Sequence, residues 1–98
     1  MCGIVGTWSP DRNLTDVVKA ACKTLQHRGP NDSGIWSDKS ARMSFGHTRL
    51  SIQDLSAAGQ QPMESACERF VMVFNGEIYN HQELRAKLSL MSWRGHSD

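Results

Sequence analysis

The sequence has 98 residues, of which 39% are hydrophobic and 21% are charged. This composition is that of an ordinary globular domain and excludes a chain that is disordered throughout. Its 11 basic and 10 acidic side chains leave a formal net charge of +1, and no block of like charges is present. The charge pattern therefore favours neither a nucleic acid nor a membrane surface as a partner.

Neither secretion nor metal binding is indicated by the sequence. The N-terminus lacks a basic stretch ahead of an apolar core, which predicts a cytoplasmic protein. Cys2, Cys22 and Cys67 are too widely spaced for a disulfide framework or a CxxC pair, so we expect reduced thiols. The histidines lie in separate segments without the i, i+3 or i, i+4 spacing of a metal pair, so no metal site is expected.

The first half of the chain predicts a strand followed by an amphipathic helix. Residues 3–8 are apolar and rich in β-formers, and a Ser-Pro-Asp turn signal follows at 9–11. From Leu14 to Gln26, apolar side chains recur at spacings of three and four, as expected for a helix with one buried face. Thr15 or Asp16 is placed to accept from the free N–H groups at its start.

Glycine, proline and turn-forming residues at 27–32 end this helix. Residues 34–36 and 43–52 then have the composition of two extended strands. Residues 54–62 are polar and aperiodic, which indicates a loop that ends at a proline.

The run Phe70 to Phe74 is uninterruptedly apolar and predicts a strand buried on both faces, with any chemistry at its end, at 75–76. Asn80 is predicted to cap a last helix. Strands and helices in this order indicate a layered α+β domain. Because a central strand needs neighbours and cover on both faces, we expect the natural domain to continue beyond Asp98.

Cys2 is a candidate nucleophile under one condition. A small second residue generally permits removal of Met1, which would leave Cys2 with both a thiol and a free α-amine. The amine can take up the thiol proton near neutral pH, so that one residue supplies nucleophile and base. The alternative is that position 2 holds only a small buried residue at the start of a strand.

Four segments carry a resemblance to a known family: Met1 to Gly6, Leu25 to Gly34, Gly46 to Ile52 with its continuation through Asp54-Leu55-Ser56 and Gln61-Pro62-Met63, and Phe74 to Asn80. In this order they resemble the glutaminase domain of the asparagine synthetase type of class II glutamine amidotransferases, which are N-terminal nucleophile hydrolases. The resemblance covers nearly the whole chain. Asn31, where the family often has aspartate, and the irregular stretch 90–96 depart from its pattern.

The resemblance implies a fold and a reaction. The fold is the N-terminal part of an αββα four-layer sandwich, incomplete in this chain. The reaction is hydrolysis of the glutamine side-chain amide through a Cys2 thioester, which gives glutamate and ammonia for an asparagine-synthetase-like amide transfer. The implied partners are glutamine, a synthetase domain or subunit that receives ammonia, and a second copy of the chain. No cofactor is expected here, because ATP and magnesium belong to a synthetase domain absent from this chain.

The resemblance also assigns roles to individual residues. Cys2 is the nucleophile, and the Asn75 side-chain amide with the Gly76 backbone N–H stabilises the oxyanion. Read alone, Asn75-Gly76 would be only a tight turn after a strand.

Residues that recognise the amino-acid part of glutamine are assigned in the same way. Arg49 matches the arginine that binds the α-carboxylate, and Asp98 with Glu77 supplies carboxylates for the α-ammonium. Backbone groups of Leu50 and Ile52 line the pocket. A lone arginine could instead lie on the surface of an edge strand.

Two other functions stay open at this level. The chain could be a catalytically inactive fragment that acts only as a structural or interaction piece. It could also be an N-terminal nucleophile hydrolase that acts on another amide. Both keep Cys2, so the sequence does not separate them from a glutaminase.

Overall fold

A three-stranded antiparallel sheet carries most of the ordered core. The computed structural model describes residues 1–98. Its strands and helices are β1 (Gly3–Trp8), α1 (Thr15–Thr24), β2 (Asp32–Asp38), β3 (Met43–Arg49), β4 (Met63–Glu64), β5 (Val71–Met72) and α2 (His81–Lys87), with a 3-10 turn at Ala57–Gly59. The predicted α+β class is confirmed at this level, as two helices and two antiparallel sheets. Neither helix has the length and apolar character that a membrane span requires.

The strand order β1-β3-β2 places the N-terminus beside the end of β3. Both outer strands run antiparallel to β3, with Gly3 opposite Thr48 and Asp32 opposite Arg49. Cys2 therefore lies where β3 ends and its following loop begins. The predicted strand 43–52 is shorter than expected, because β3 ends at Arg49.

Helix α1 covers one face of this sheet. Val18 and Cys22 are buried, and a side chain at Gly46 would collide with both of them. Burial raises the pKa of the Cys22 thiol, which keeps it protonated and inert. The predicted helix is thus confirmed, and its close packing explains why a glycine stands at the centre of β3.

The start of α1 differs from the prediction. Leu14 occupies the N-cap position and makes no side-chain cap. The Asn13 side-chain oxygen accepts instead from the Thr15 N–H at 3.0 Å. The Thr15 hydroxyl points into the sheet, 2.8 Å from the Ser37 hydroxyl oxygen and 3.0 Å from that of Ser44, so it cannot cap its own helix.

The second sheet overturns the prediction for Phe70 to Phe74. Strand β5 is two residues long and pairs only with β4 in a two-stranded ribbon. Phe70 is 64% exposed and Met72 is 49% exposed, so the run is not a central strand buried on both faces. No third strand joins the ribbon, and an apolar run without partners gains no burial from its composition alone.

Helix α2 begins after Asn80 as predicted, but the Asn80 side chain makes no cap hydrogen bond. Within this helix, the Arg85 guanidinium donates to the carbonyl oxygens of Gly95 (2.8 Å) and Ser97 (3.3 Å). The same guanidinium lies 4.5 Å from the centre of the Trp93 ring. Arg85 thereby ties the last residues of the chain to the helix.

Candidate functional site

One cavity of about 470 Å³ opens at the end of the three-stranded sheet, where β1 begins and β3 ends. The structure brings all the sequence-predicted catalytic and binding residues to its wall: Cys2, Arg49, Leu50, Ile52, Asn75, Gly76, Glu77 and Asp98. They come from the N-terminus, the end of β3, the loop after β5 and the last residue. Residues far apart in the sequence thus meet in one place.

The Cys2 thiol is half-buried and held against the strand end. Its sulfur accepts from the Leu50 N–H at 3.3 Å and lies 3.8 Å from the Leu50 carbonyl oxygen. The Arg28 Nε donates to the Cys2 carbonyl oxygen at 3.1 Å. Both contacts restrain the backbone and the side chain of Cys2, which a positioned nucleophile requires.

Gly29 explains how Arg28 reaches Cys2. A β-carbon at this position would lie only 2.6 Å from the backbone carbon of Arg49, so only glycine allows the loop to approach β3 this closely. The Asn31 N–H donates to the Arg49 carbonyl oxygen at 3.0 Å, and the Asn31 side chain accepts from the Ser51 N–H at 3.0 Å. The segment around Gly29 therefore holds the end of β3 through hydrogen bonds. Arg28 contributes by its contact with Cys2, a role that sequence analysis missed.

The Asn75-Gly76 corner presents unused donors. Within the chain, neither the Asn75 side-chain amide nor the Gly76 N–H makes a hydrogen bond. The preceding Phe74 N–H donates to the Gln61 side-chain oxygen, which anchors the corner to the loop before β4. Two free N–H groups on an anchored backbone are suited to stabilise negative charge on an oxygen.

Arg49 is buried on the central strand, not exposed on an edge strand, so the surface-arginine interpretation is wrong. Its guanidinium donates to the carbonyl oxygen of Ser56 at 2.7 Å and to that of Asp54. Gly59 packs against this guanidinium, which would have to shift to admit a β-carbon there. Since a guanidinium carries five N–H donors, others remain for a ligand carboxylate.

Both carboxylates predicted for the ammonium are already oriented by hydrogen bonds. The Glu77 Oε1 accepts from the Gln53 side-chain amide at 3.0 Å. The Asp98 carboxylate accepts from the Ile78 N–H. Each keeps further lone pairs for a cation. The cavity wall therefore carries the Arg49 guanidinium and, on Glu77 and Asp98, two carboxylates with unused lone pairs.

Asp54 is a second residue to which sequence analysis gave no role. One carboxylate oxygen accepts from the Ser56 N–H at 2.8 Å and from the Ser56 hydroxyl at 2.6 Å, and the other accepts from the His96 N–H at 3.3 Å. The Ser56 hydroxyl and these N–H donors lower the Asp54 pKa to about 2. The Asp-x-Ser spacing was the available signal, because it is typical of an Asx-type turn.

His47 contributes to the cavity wall and carries no assigned role. It is 1% exposed, and neither ring nitrogen has a hydrogen-bond partner. Burial lowers the pKa of the imidazole, while the nearby Phe74 backbone opposes this shift and Arg49 adds to it. The ring is therefore neutral at neutral pH.

A thiol, free N–H donors and groups of both charges in one cavity are what thiol-dependent hydrolysis of an amino-acid amide requires. The sequence model of the family described as "Glutamine amidotransferase domain" matches residues 1–98. The chain belongs to this family, which confirms the resemblance drawn from the sequence.

Within this family, the individual relatives are asparagine synthetases. Asparagine synthetase B (glutamine-hydrolyzing) of Escherichia coli strain K12 is 40% identical over 90 residues, covering 89% of this chain and 16% of the relative. Asparagine synthetase (glutamine-hydrolyzing) of Triphysaria versicolor is 41% identical over 101 residues, covering 100% of this chain and 17% of the relative. A putative asparagine synthetase (glutamine-hydrolyzing) of Methanocaldococcus jannaschii is 35% identical over 112 residues, covering 97% of this chain and 22% of the relative. The chain thus spans only 16 to 22% of the length of these relatives.

Proposed function

We propose that this chain hydrolyses the side-chain amide of glutamine through a Cys2 thioester and supplies ammonia to an asparagine-synthetase-like amide transfer. The observation that carries the proposal is the cavity in which Cys2 and the Asn75-Gly76 corner lie with Arg49. The relatives named above are described as glutamine-hydrolyzing asparagine synthetases, which supports both the substrate and the use of the ammonia.

The proposed reaction has two balanced steps. The Cys2 sulfur attacks the amide carbon of glutamine to give a tetrahedral intermediate, and the thiol proton passes by way of the α-amine to the leaving nitrogen. The C–N bond then breaks, which releases ammonia and leaves a thioester on Cys2. Water then attacks the thioester, which releases glutamate and restores the thiol. In both steps the Asn75 side-chain amide and the Gly76 N–H donate to the negatively charged oxygen.

The mechanism requires that Met1 be removed. While Met1 is present, the Cys2 nitrogen is part of a peptide bond and cannot act as a base. Met1 is 69% exposed and contributes to the cavity wall. Its removal would free the Cys2 amine and leave more of the cavity open to the substrate.

Recognition of the amino-acid part of glutamine follows from charge. Arg49 would bind the α-carboxylate, and Asp98 with Glu77 would bind the α-ammonium. Backbone groups of Leu50 and Ile52 would line the side of the substrate. No metal or cofactor in this chain takes part, and ATP with magnesium would act in a synthetase domain or subunit.

The fold is consistent with one half of an αββα sandwich. Helix α1 would be an outer layer and the three-stranded sheet an inner one. Val5 packs near α1, and side chains along a strand point alternately to opposite faces of the sheet. Ile4 (46% exposed) and Trp8 (62% exposed) therefore face away from the helix. An apolar face of this kind suits packing against a second sheet or a second copy of the chain.

Incubation of the Met1-free chain with glutamine tests the function directly. We expect ammonia and glutamate in equal amounts, measured by an enzyme-coupled ammonia assay and by chromatography. Release of neither product would favour the alternative of an inactive fragment that serves as a structural or interaction piece.

An Arg49→Ala change tests whether glutamine is the intended amide. Loss of charge-assisted hydrogen bonds should raise the KM for glutamine about 10- to 100-fold. Glutaminamide, in which an amide replaces the α-carboxylate, should be affected much less. Arg12→Ala is the matched control, since Arg12 is exposed and makes no side-chain hydrogen bond. Equal losses with both substrates would contradict a carboxylate-binding role.

A further inference from the structure

The loop after β3 contacts both Arg49 and the segment that ends at Asp98. The Arg49 guanidinium donates to the backbone carbonyl oxygens of Asp54 and Ser56. The Asp54 Oδ1 closes this turn by accepting from the Ser56 N–H and hydroxyl. The position of the guanidinium therefore depends on the shape of a turn that Asp54 organises.

The Asp54 side chain also holds the segment that carries Asp98. The Asp54 Oδ2 accepts from the His96 N–H, a contact that joins residues 42 positions apart. Gly95 packs so closely that a β-carbon there would lie 2.7 Å from this oxygen. Arg85 holds the flanking carbonyl oxygens of Gly95 and Ser97, so Asp54 and Arg85 fix the segment from two sides.

We propose that Asp54 is a positioning residue for amino-acid recognition, which sets the separation between the carboxylate-binding Arg49 and the ammonium-binding Asp98. The inference rests on the proposed function. A turn-forming aspartate would need only the Oδ1 contacts, whereas the Oδ2 contact reaches a distant segment. The paired positions make the cavity selective for amides that carry both an α-carboxylate and an α-ammonium.

The environment of Asp54 supports this role. The side chain is buried, with 9% of its surface exposed, and forms no salt bridge, so its charge is balanced by N–H and O–H donors. The lowering of its pKa by these donors shows that they favour the ionised form of the carboxylate. Hydrogen bonds to an ionised acceptor are stronger than those to a neutral one. An ionised Asp54 is therefore suited to hold the loop after β3 and the last residues of the chain in fixed positions.

An Asp54→Asn change tests the inference, because an amide nitrogen cannot accept from the His96 N–H. We expect the KM for glutamine to rise about tenfold with kcat nearly unchanged. Glutaric acid monoamide, which is glutamine without its α-ammonium, should show the same KM with variant and wild type. Asp11→Asn serves as the matched control, since the exposed Asp11 side chain makes no hydrogen bond.

A second readout does not depend on activity. In Asp54→Asn, hydrogen exchange of the His96 amide should accelerate, while that of the Cys22 amide in α1 should not change. Gly95→Ala provides a second variant, because its β-carbon would lie 2.7 Å from the Asp54 Oδ2 and would separate this oxygen from the His96 N–H. It should reproduce the effect on KM even if Asp54→Asn fails to fold.

The outcomes separate this inference from the proposed function. If the wild-type chain binds glutamine but releases no ammonia, the proposed function fails. Binding is then measured from shifts of the backbone amide NMR signals, and the dissociation constants of wild type and variants are compared in place of KM. The inference is overturned by an unchanged KM in both variants, by an equal rise with the monoamide, by unchanged His96 exchange, or by absence of glutamine binding.

Discussion

Replacement of Cys2 by serine should lower kcat for glutamine hydrolysis by at least about a thousandfold, the scale of loss seen when a nucleophile is removed from a catalytic unit. A hydroxyl is a far weaker nucleophile than a thiol near neutral pH. Serine is also small enough to permit removal of Met1, so the α-amine would still be present. Steady-state ammonia release from purified variant and wild type, with folding compared by circular dichroism, measures the effect.

Cys67 supplies the control for this experiment. Its thiol is exposed, and the Ser65 hydroxyl lowers its pKa, with the Arg69 backbone contributing further. It is therefore a reactive thiol that does not line the cavity. Cys67→Ser should retain wild-type kcat. A Cys2→Ser chain that keeps wild-type kcat, or a Cys67→Ser chain that loses it, would contradict the assignment of the nucleophile.

An Asn75→Ala change should lower kcat about 10²- to 10³-fold, the typical cost of losing one donor to an oxyanion. The KM for glutamine should change little, because the donor acts on charge that develops only during reaction. Full kinetic curves for variant and wild type separate the two parameters. The free side-chain amide of Asn75 is the structural basis of this expectation.

Asn80→Ala is the matched control for this donor. Asn80 lies five residues further along and makes no cap hydrogen bond at the start of α2, so its loss should not affect kcat. If Asn75→Ala raised KM and left kcat unchanged, Asn75 would bind the ground state of the substrate and would not stabilise the oxyanion.

The elements of the first half could be predicted because their signals are local. The structure places β1, α1, β2 and β3 within or close to their predicted ranges. Alternating apolar residues indicate a strand with one buried face, and apolar residues spaced by three and four indicate a helix with one buried face. Family resemblance supplied the candidate site. The strands and loops then bring Cys2, Arg49 and Asn75 to the wall of one cavity.

Features that depend on distant partners could not be predicted in this way. The apolar run Phe70 to Phe74 has the composition of a central strand, yet burial requires neighbours that its own residues do not specify. The contact of Asp54 with His96 joins positions 42 residues apart and leaves no local pattern. Asn13 replaces Thr15 at the start of α1 because the Thr15 hydroxyl is engaged by the sheet.

The most direct test is the intact mass of the Cys67→Ser chain after incubation with a diazoketone analogue of glutamine. The proposed function predicts a mass that lacks Met1 and carries one equivalent of the analogue, located on Cys2 by peptide fragmentation. Excess glutamine should prevent this labelling. A chain that retains Met1, or one that loses Met1 and stays unlabelled at Cys2, would contradict the proposed chemistry.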